Sequence, residues 1–224
     1  MSILELSLLL LPPIMATALV QLWTAMQLAS AGGVELQVSG FRASSEILAT
    51  NDASQVDVQQ TPGATTDHYD PFAKVVRLST AVYHGRTIAA VCVAARETCF
   101  AIQHRRQSGL IWMRGIAAGF AGFGTIASVI VLMMGVLLSE TLIFATGVAA
   151  LNFVLVVQIM NLPGELLASR NASSYLTDLG LVDQTESPRV KRVLRAKAYA
   201  TLAAPLQFLL MLFSPLIRYL SGKR

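Results

Sequence analysis

Hydrophobic residues gather in four long stretches that contain no charged side chain. A helix of about 20 such residues crosses the hydrocarbon layer of a bilayer. The sequence therefore predicts about four membrane-spanning helices, at residues 6–29, 115–138, 141–162 and, interrupted by Pro205 and Pro215, 199–217. No basic residue precedes the first stretch, which favours a retained membrane helix over a cleaved signal peptide.

The second and third stretches are separated only by Ser139 and Glu140. Two helices joined by so short a connection are predicted to form a tight antiparallel hairpin. The second stretch also carries five glycines, Gly135 among them. Small residues of this kind let helices approach closely in lipid.

Two polar segments carry the remaining structure. Residues 31–114 predict a small domain with a helix at 44–49, strands at 56–60 and 74–79, a turn at Asp70-Pro71 and a helix at 87–104. The last of these helices is rich in Ala and Val around most of its circumference, so it is predicted to be buried. Residues 164–197 show two helical patterns split by a loop around 183–188.

These patterns predict a mainly α integral membrane protein with a small α+β domain between its first and second spans. The predicted parts are a first transmembrane helix at 1–30, the α+β domain at 31–114, the transmembrane hairpin at 115–163, the polar helical segment at 164–197 and a last apolar segment, transmembrane or interfacial, at 198–224.

Composition supports the membrane assignment, because 54% of the residues are hydrophobic and only 13% are charged, against about 25% charged in a typical soluble domain. Lys and Arg number 8 in residues 31–114, 6 in 164–197 and 3 after the last span. The positive-inside rule then places both polar segments in the cytoplasm, where they can meet. The three C-terminal cations would lie outside, unless the last segment lies in the interface instead of crossing.

In a membrane protein, the net charge of +4 reports orientation rather than nucleic-acid binding. The basic run at 189–197 has two readings, which are binding of anionic lipid beside the last span and an ordinary solvated helix face.

Several short motifs occur in one order over about three quarters of the chain. They are Thr66-Asp67-His68-Tyr69-Asp70-Pro71, Lys74-Val75-Val76-Arg77-Leu78-Ser79, Val82-Tyr83, Ile88-Ala89-Ala90, Val93-Ala94-Ala95, Ala101-Ile102-Gln103-His104, Leu162-Pro163-Gly164-Glu165 and Ala168-Ser169-Arg170. In this order they resemble the neutral zinc metallopeptidase family of prokaryotic membrane proteins. The resemblance implies a zincin-like domain, a prokaryotic cell membrane and, in active members, a zinc cofactor.

The family carries H-E-x-x-H between the Ala-Ala and Ala-Ile-Gln-His segments that are present here. Residues four apart share a helix face, so two imidazoles bind one zinc while the glutamate acts as general base. In this chain the ligand positions are Arg96 and Phe100, and only the base position, Glu97, is kept. The resemblance places a third ligand at Glu165, which is present.

These four degenerate positions predict that no zinc is bound. Arginine stays protonated and phenylalanine has no ligand atom. A catalytic zinc usually takes three protein ligands and a water, whereas Glu97 and Glu165 are only two carboxylates.

A rebuilt metal site could instead draw on His104, Cys99, Glu165 or His68. The simpler reading places His104 at the end of its helix, where cations are favoured, and His68 in a turn. It treats Cys92 and Cys99 as buried reduced thiols.

Loss of the metal would leave two carboxylates unpaired in a poorly solvated place. We hypothesise that Arg96 pairs with Glu165, Glu97 or both, and that Phe100 fills the volume of the missing imidazole. The alternative is an Arg96 that faces solvent.

The sequence therefore favours a catalytically inactive pseudo-protease with a regulatory or structural role at the membrane, whose partners are the lipid bilayer and another membrane protein or protease. The alternative is an active membrane zinc metallopeptidase with unconventional ligands that cleaves membrane-adjacent polypeptides. A transporter or channel has little support, since the two middle spans carry no ionisable residue.

Overall fold

The structure is a computed structural model that describes residues 3–63, 67–106, 123–138 and 140–200. It is mainly helical with one small mixed sheet, as the sequence predicted. The described residues form two compact units. The polar unit comprises described residues 23–106 and 163–199, and the apolar unit comprises 3–22, 123–162 and 200. The start of the second predicted span, 115–122, and nearly all of the last apolar segment lie outside the described residues.

The sheet of the polar unit has three strands, β1 (Asp57–Thr61), β2 (His68–Asp70) and β3 (Val75–Ser79). Strand β3 lies in the middle, parallel to β1 and antiparallel to β2. The predictions of β1 and β3 are confirmed to within one residue. Strand β2 was not predicted, because three residues are too few to show an alternating pattern.

The predicted turn after Asp70 is present. The Oδ1 atom of Asp70 accepts hydrogen bonds from the backbone N–H groups of Phe72 at 3.0 Å and Ala73 at 3.1 Å. These backbone bonds hold the pKa of Asp70 below its ordinary value, although partial burial opposes them. The turn joins β2 to β3 and so fixes the edge of the sheet.

Three helices complete the first part of the polar unit, α2 (Gly40–Thr50), α3 (Thr80–Tyr83) and α4 (Ile88–Arg106). Helix α2 starts earlier than predicted because Ser39 caps it, its Oγ accepting from the N–H of Arg42 at 3.3 Å. Helix α4 is buried from Ala90 through Gln103, as its apolar circumference predicted. The hydroxyl of Thr98 on α4 donates to that of Ser44 on α2 at 2.9 Å, which joins the two helices inside the core.

Helix α1 (Ile3–Gly32) covers the first predicted span. Helices α5 (Thr125–Leu137) and α6 (Thr141–Asp178) come after the first polar segment. By length and composition, one helix among the described residues could cross a membrane, the segment Leu142–Asp178 of α6, while the apolar part of α5 is shorter, Ile126–Gly135. Four spans therefore remain a prediction.

Helix α6 continues through Pro163, so the proline that marks the end of the apolar stretch does not interrupt the helix. Its ring removes one backbone donor, a loss that helices of membrane proteins tolerate. A loop at 179–186 separates α6 from α7, residues 187–200. The loop lies a few residues earlier than predicted, because Pro188 belongs to the first turn of α7, where proline is favoured.

The hairpin of α5 and α6 is packed backbone to backbone, as its glycines suggested. A Cβ atom on Gly135 would lie 2.3 Å from the backbone N of Phe144, and one on Gly147 would lie 2.6 Å from Cα of Leu132. Only glycine fits at these two positions, so the close approach of the helices depends on them.

We expect Gly147→Ala to destabilise the protein by about 1–3 kcal/mol, because its methyl group would push into the backbone of α5. Gly164→Ala is the matched control on the same helix. There the new Cβ atom would meet only the Oε1 atom of Gln103, at 3.9 Å, and helix propensity favours alanine by up to about 1 kcal/mol. Thermal unfolding in detergent should show a lower melting temperature than wild type for Gly147→Ala and not for Gly164→Ala. Equal melting temperatures for the two variants would contradict the tight hairpin.

Candidate functional site

Arg96 joins the two predicted carboxylates. From α4, its Nη1 atom donates to Oε1 of Glu97 at 2.8 Å, and its Nη2 atom donates to Oε2 of Glu165 on α6. All three side chains are buried, with exposed fractions of 8%, 3% and 4% respectively. The structure therefore brings together Arg96, Glu97 and Glu165, which we call the Arg96 cluster.

Further contacts hold the Arg96 cluster in place. The second oxygen of Glu97 accepts from the backbone N–H of Tyr69 on β2 at 3.3 Å. The Cζ atom of Arg96 lies 5.2 Å from the ring centre of Phe100, within the range of a cation–π contact. The amide of Gln103 donates to the carbonyl of Gly164 at 3.2 Å, which fixes α6 beside α4 next to Glu165.

The ion pairing that the sequence suggested is thus present, with both carboxylates at once. The alternative, an Arg96 that faces solvent, does not agree with its burial. Phe100 is fully buried in the core and supplies a ring face to Arg96, which is consistent with a side chain that fills the place of an imidazole. The Nε atom of Arg96 is the one atom of its guanidinium without a hydrogen-bond partner among the described residues.

The other candidate ligands, His104, His68 and Cys99, do not assemble a metal site with the Arg96 cluster among the described residues. His104 pairs its Nδ1 atom with the hydroxyl of Tyr69 at 2.8 Å. His68 is an exposed residue at the start of β2. The prediction that it lies in a turn is therefore wrong. Cys92 and Cys99 are buried free thiols, and burial raises the pKa of both well above the ordinary value.

His104 differs from the sequence interpretation in its charge. It does lie in the last turn of α4, but burial and the charge of Lys74 lower its pKa, so the neutral imidazole is favoured. Burial, helped by the charge of Asp70, raises the pKa of Tyr69 to about 12. The phenol is therefore protonated, and its hydroxyl forms a hydrogen bond with Nδ1 of His104, in which the ring tautomer decides the donor.

The residues of the site do not fit a catalytic zinc ion. The two positions that should supply imidazoles hold a guanidinium and a phenyl ring, and the guanidinium already pairs with both carboxylates. Across the described ranges, no group of three or more His, Cys, Asp and Glu side chains is placed to hold a metal ion. Neither the original ligand set nor one rebuilt from His104, Cys99, Glu165 or His68 is assembled there.

Lys197 on α7 belongs to the same electrostatic environment, which we did not predict. Burial and the charge of Arg96 lower the pKa of Lys197 below its ordinary value. The negative charges of Glu97, Asp67 and Glu165 act against this shift. The sequence did hold a signal, since Val190, Val193 and Leu194 are buried and Lys197 continues their helical spacing. Both interpretations of the basic run at 189–197 treated it as a charged surface, so the partly buried position of Lys197 was not predicted.

Comparisons with known proteins agree with the resemblance seen in the motifs. A family described as "Putative neutral zinc metallopeptidase" matches residues 6–220. The chain is also 31% identical over 185 residues to "Putative membrane protease YugP" of Bacillus subtilis (strain 168), which covers 83% of this chain and 82% of that relative. No solved structure matches the chain.

The environment of His104 predicts its titration. We expect its imidazole to titrate below the ordinary pKa of 6.5, as followed by NMR of the histidine ring protons and assigned with His104→Gln. Because the unfolded chain then binds this proton more readily than the folded one, the stability that the neutral ring contributes is present above about pH 6.5 and is lost as the pH falls. A pKa of His104 above 6.5 would contradict the neutral pairing with Tyr69.

The Arg96 cluster predicts a large effect of removing its cation. Arg96→Ala would leave Glu97 and Glu165 buried without the guanidinium, which should cost about 3–5 kcal/mol of unfolding free energy. Chemical denaturation in detergent measures this loss.

Arg77→Ala is the matched control for this truncation. Arg77 pairs with Asp70 at 3.3 Å, but both side chains are partly exposed, so its removal should cost about 0–1 kcal/mol. Similar losses for the two variants would show that the buried ion pair is no more important than a surface one.

Proposed function

The chain belongs to the neutral zinc metallopeptidase family, and we propose that it is a catalytically inactive member in which a guanidinium replaces the metal. The observation that carries this proposal is the contact of Arg96 with both Glu97 and Glu165. In an active H-E-x-x-H site, the glutamate acts as general base on a metal-activated water. Here the corresponding carboxylate is held by Arg96 and by the backbone of Tyr69.

The charge of the Arg96 cluster supports the same interpretation. A metal ion would bring positive charge to two buried carboxylates, and Arg96 provides a permanent one that no change of pH in the physiological range removes. The ring of Phe100 supports the guanidinium from one side. The cluster thereby keeps the scaffold of a protease site while it lacks the ligands that would activate water.

We further propose that the chain is anchored by about four membrane helices, with both polar segments on the cytoplasmic side. Three observations support the membrane anchor: the charge-free stretches of the sequence, the apolar helix α6 and the relative named "Putative membrane protease YugP". The cytoplasmic side is supported by the Lys and Arg residues of the two polar segments. In that setting an inactive zincin-like domain would act through binding, as a regulatory or structural partner of another membrane protein or protease. Such a role uses the retained surface of the fold and needs no chemistry at the Arg96 cluster.

Zinc content tests the inactive state. We expect the wild-type chain, purified without chelator and measured by plasma mass spectrometry, to hold far less than one zinc ion per chain. Arg96→His combined with Phe100→His restores the two imidazoles one helical turn apart, beside the retained Glu97 and Glu165, so this variant should bind close to one zinc ion per chain.

Arg96→Gln combined with Phe100→Leu is the control for this variant. It removes the guanidinium and the phenyl ring at the same two positions without adding an imidazole, and it should leave the zinc content at the wild-type level. Tightly held zinc at one ion per wild-type chain would overturn the inactive state and favour a site with unconventional ligands. Failure of the histidine pair to gain zinc would contradict the proposal that the rest of the site is retained.

A further inference from the structure

A cleft of about 690 Å³ lies in the polar unit, between the last turns of α6 and the facing side of α7. Its size suits a small ligand, since binding pockets commonly measure about 300–1,000 Å³. From α6 it is lined by Ser169 and Arg170 and, one turn later, by Ser173. From α7 it is lined by Lys191 and Arg195. The cleft contains neither Arg96 nor its two carboxylates, so it is a different site from the Arg96 cluster.

Two buried hydroxyl groups line the cleft without a partner. The Oγ atoms of Ser169 and Ser173 form no hydrogen bond with any described residue, although the two residues are only 5% and 8% exposed. Other helical hydroxyls, such as those of Thr146 and Thr177, donate to the carbonyl one turn back. A buried hydroxyl without a hydrogen-bond partner destabilises the folded state by about 1–3 kcal/mol. A ligand that accepts hydrogen bonds from both hydroxyls would remove this cost.

The rim of the cleft is positively charged. Arg170, Lys191 and Arg195 are exposed, and none of them forms an ion pair with a carboxylate of the described residues. Asp178 is the one acid in the lining, and its Oδ2 atom already accepts from the hydroxyl of Ser174 at 2.7 Å. Hydroxyl donors in the interior with cations at the rim match a phosphoryl group, whose oxygens only accept hydrogen bonds and carry negative charge.

The far end of the cleft is apolar. There it is lined by Leu166 and Tyr199, which are 42% and 48% exposed, and the ring of Tyr199 lies 6.3 Å from that of Trp23. Tyrosine and tryptophan concentrate at membrane interfaces. In the sequence, Tyr199 lies at the start of the last apolar segment. A ligand with an anionic head and an apolar tail would therefore match both ends.

We propose that this cleft binds a phosphoryl anion, with the headgroup of an anionic phospholipid as its source. The phosphoryl oxygens accept from the hydroxyls of Ser169 and Ser173 and pair with Arg170 and Arg195, while the glycerol and the first acyl carbons lie against Tyr199. The basic run of α7 then serves two purposes, since Lys191 and Arg195 face the cleft while Lys197 belongs to the environment of Arg96. This inference does not depend on whether the protease site is active.

Calorimetric titration of the full-length chain in a neutral detergent tests the proposal. The probes are dihexanoylphosphatidylglycerol, dihexanoylphosphatidylcholine and inorganic phosphate. We expect saturable binding of phosphatidylglycerol with a Kd at least about tenfold lower than that of phosphatidylcholine, whose choline is repelled by the rim cations. Saturable binding of inorganic phosphate alone would support the phosphoryl site but assign it to a soluble ligand. Absence of saturable binding of both anionic probes, or equal affinity for the two lipids, would overturn the proposal.

Two pairs of variants separate a built site from general attraction to a basic surface. Ser169→Ala combined with Ser173→Ala removes no side-chain hydrogen bond among the described residues and should weaken binding about tenfold, whereas Ser45→Ala, which removes a helical hydroxyl of α2 outside the cleft lining, should leave it nearly unchanged. Arg195→Gln should weaken binding strongly, whereas Arg192→Gln, an exposed residue of the same helix outside the cleft lining, should have a small effect. Equal effects within either pair would overturn the site.

Discussion

Arg96 carries a buried positive charge that two buried carboxylates from different parts of the chain share. Burial of ions is costly unless every charge is paired and hydrogen-bonded, and breaking such a pair destabilises more than the pair itself stabilises. Glu97 is adjacent to Arg96 on α4, whereas Glu165 lies 69 residues away on α6. The requirement to pair these charges therefore constrains how α6 packs on α4, and the amide of Gln103 adds a second link at the same place.

Much of this arrangement could be predicted from the sequence, because the responsible signals are local. Helix α4 was found from its apolar circumference, and strands β1 and β3 from alternation and from the turn at Asp70. The pairing of Arg96 with Glu165 followed from the family resemblance, which implies that both carboxylates lie at the metal site, and from a physical argument: two carboxylates that lose a metal need another cation. The close approach of α5 and α6 was likewise foreseen from glycines such as Gly135.

What the sequence did not reveal depends on tertiary contacts. Strand β2 is too short to show a period, yet its Tyr69 supplies both a backbone donor to Glu97 and a phenol to His104. His104 was expected to be a cationic helix end, but burial and Lys74 favour its neutral form. The unpaired hydroxyls of Ser169 and Ser173 become visible only when α7 folds back against the end of α6.

The family scaffold thus supports two separate features, a buried ion-pair cluster at Arg96 and a basic cleft that is open to a ligand. The central claim is that Arg96 takes the place of the metal. Anomalous scattering at the zinc absorption edge, from crystals of the full-length protein grown with added zinc, tests it most directly. We predict no zinc peak at Glu97 and Glu165 and a guanidinium density that bridges both carboxylates; a zinc peak bound to these carboxylates, with Arg96 displaced, would contradict the account.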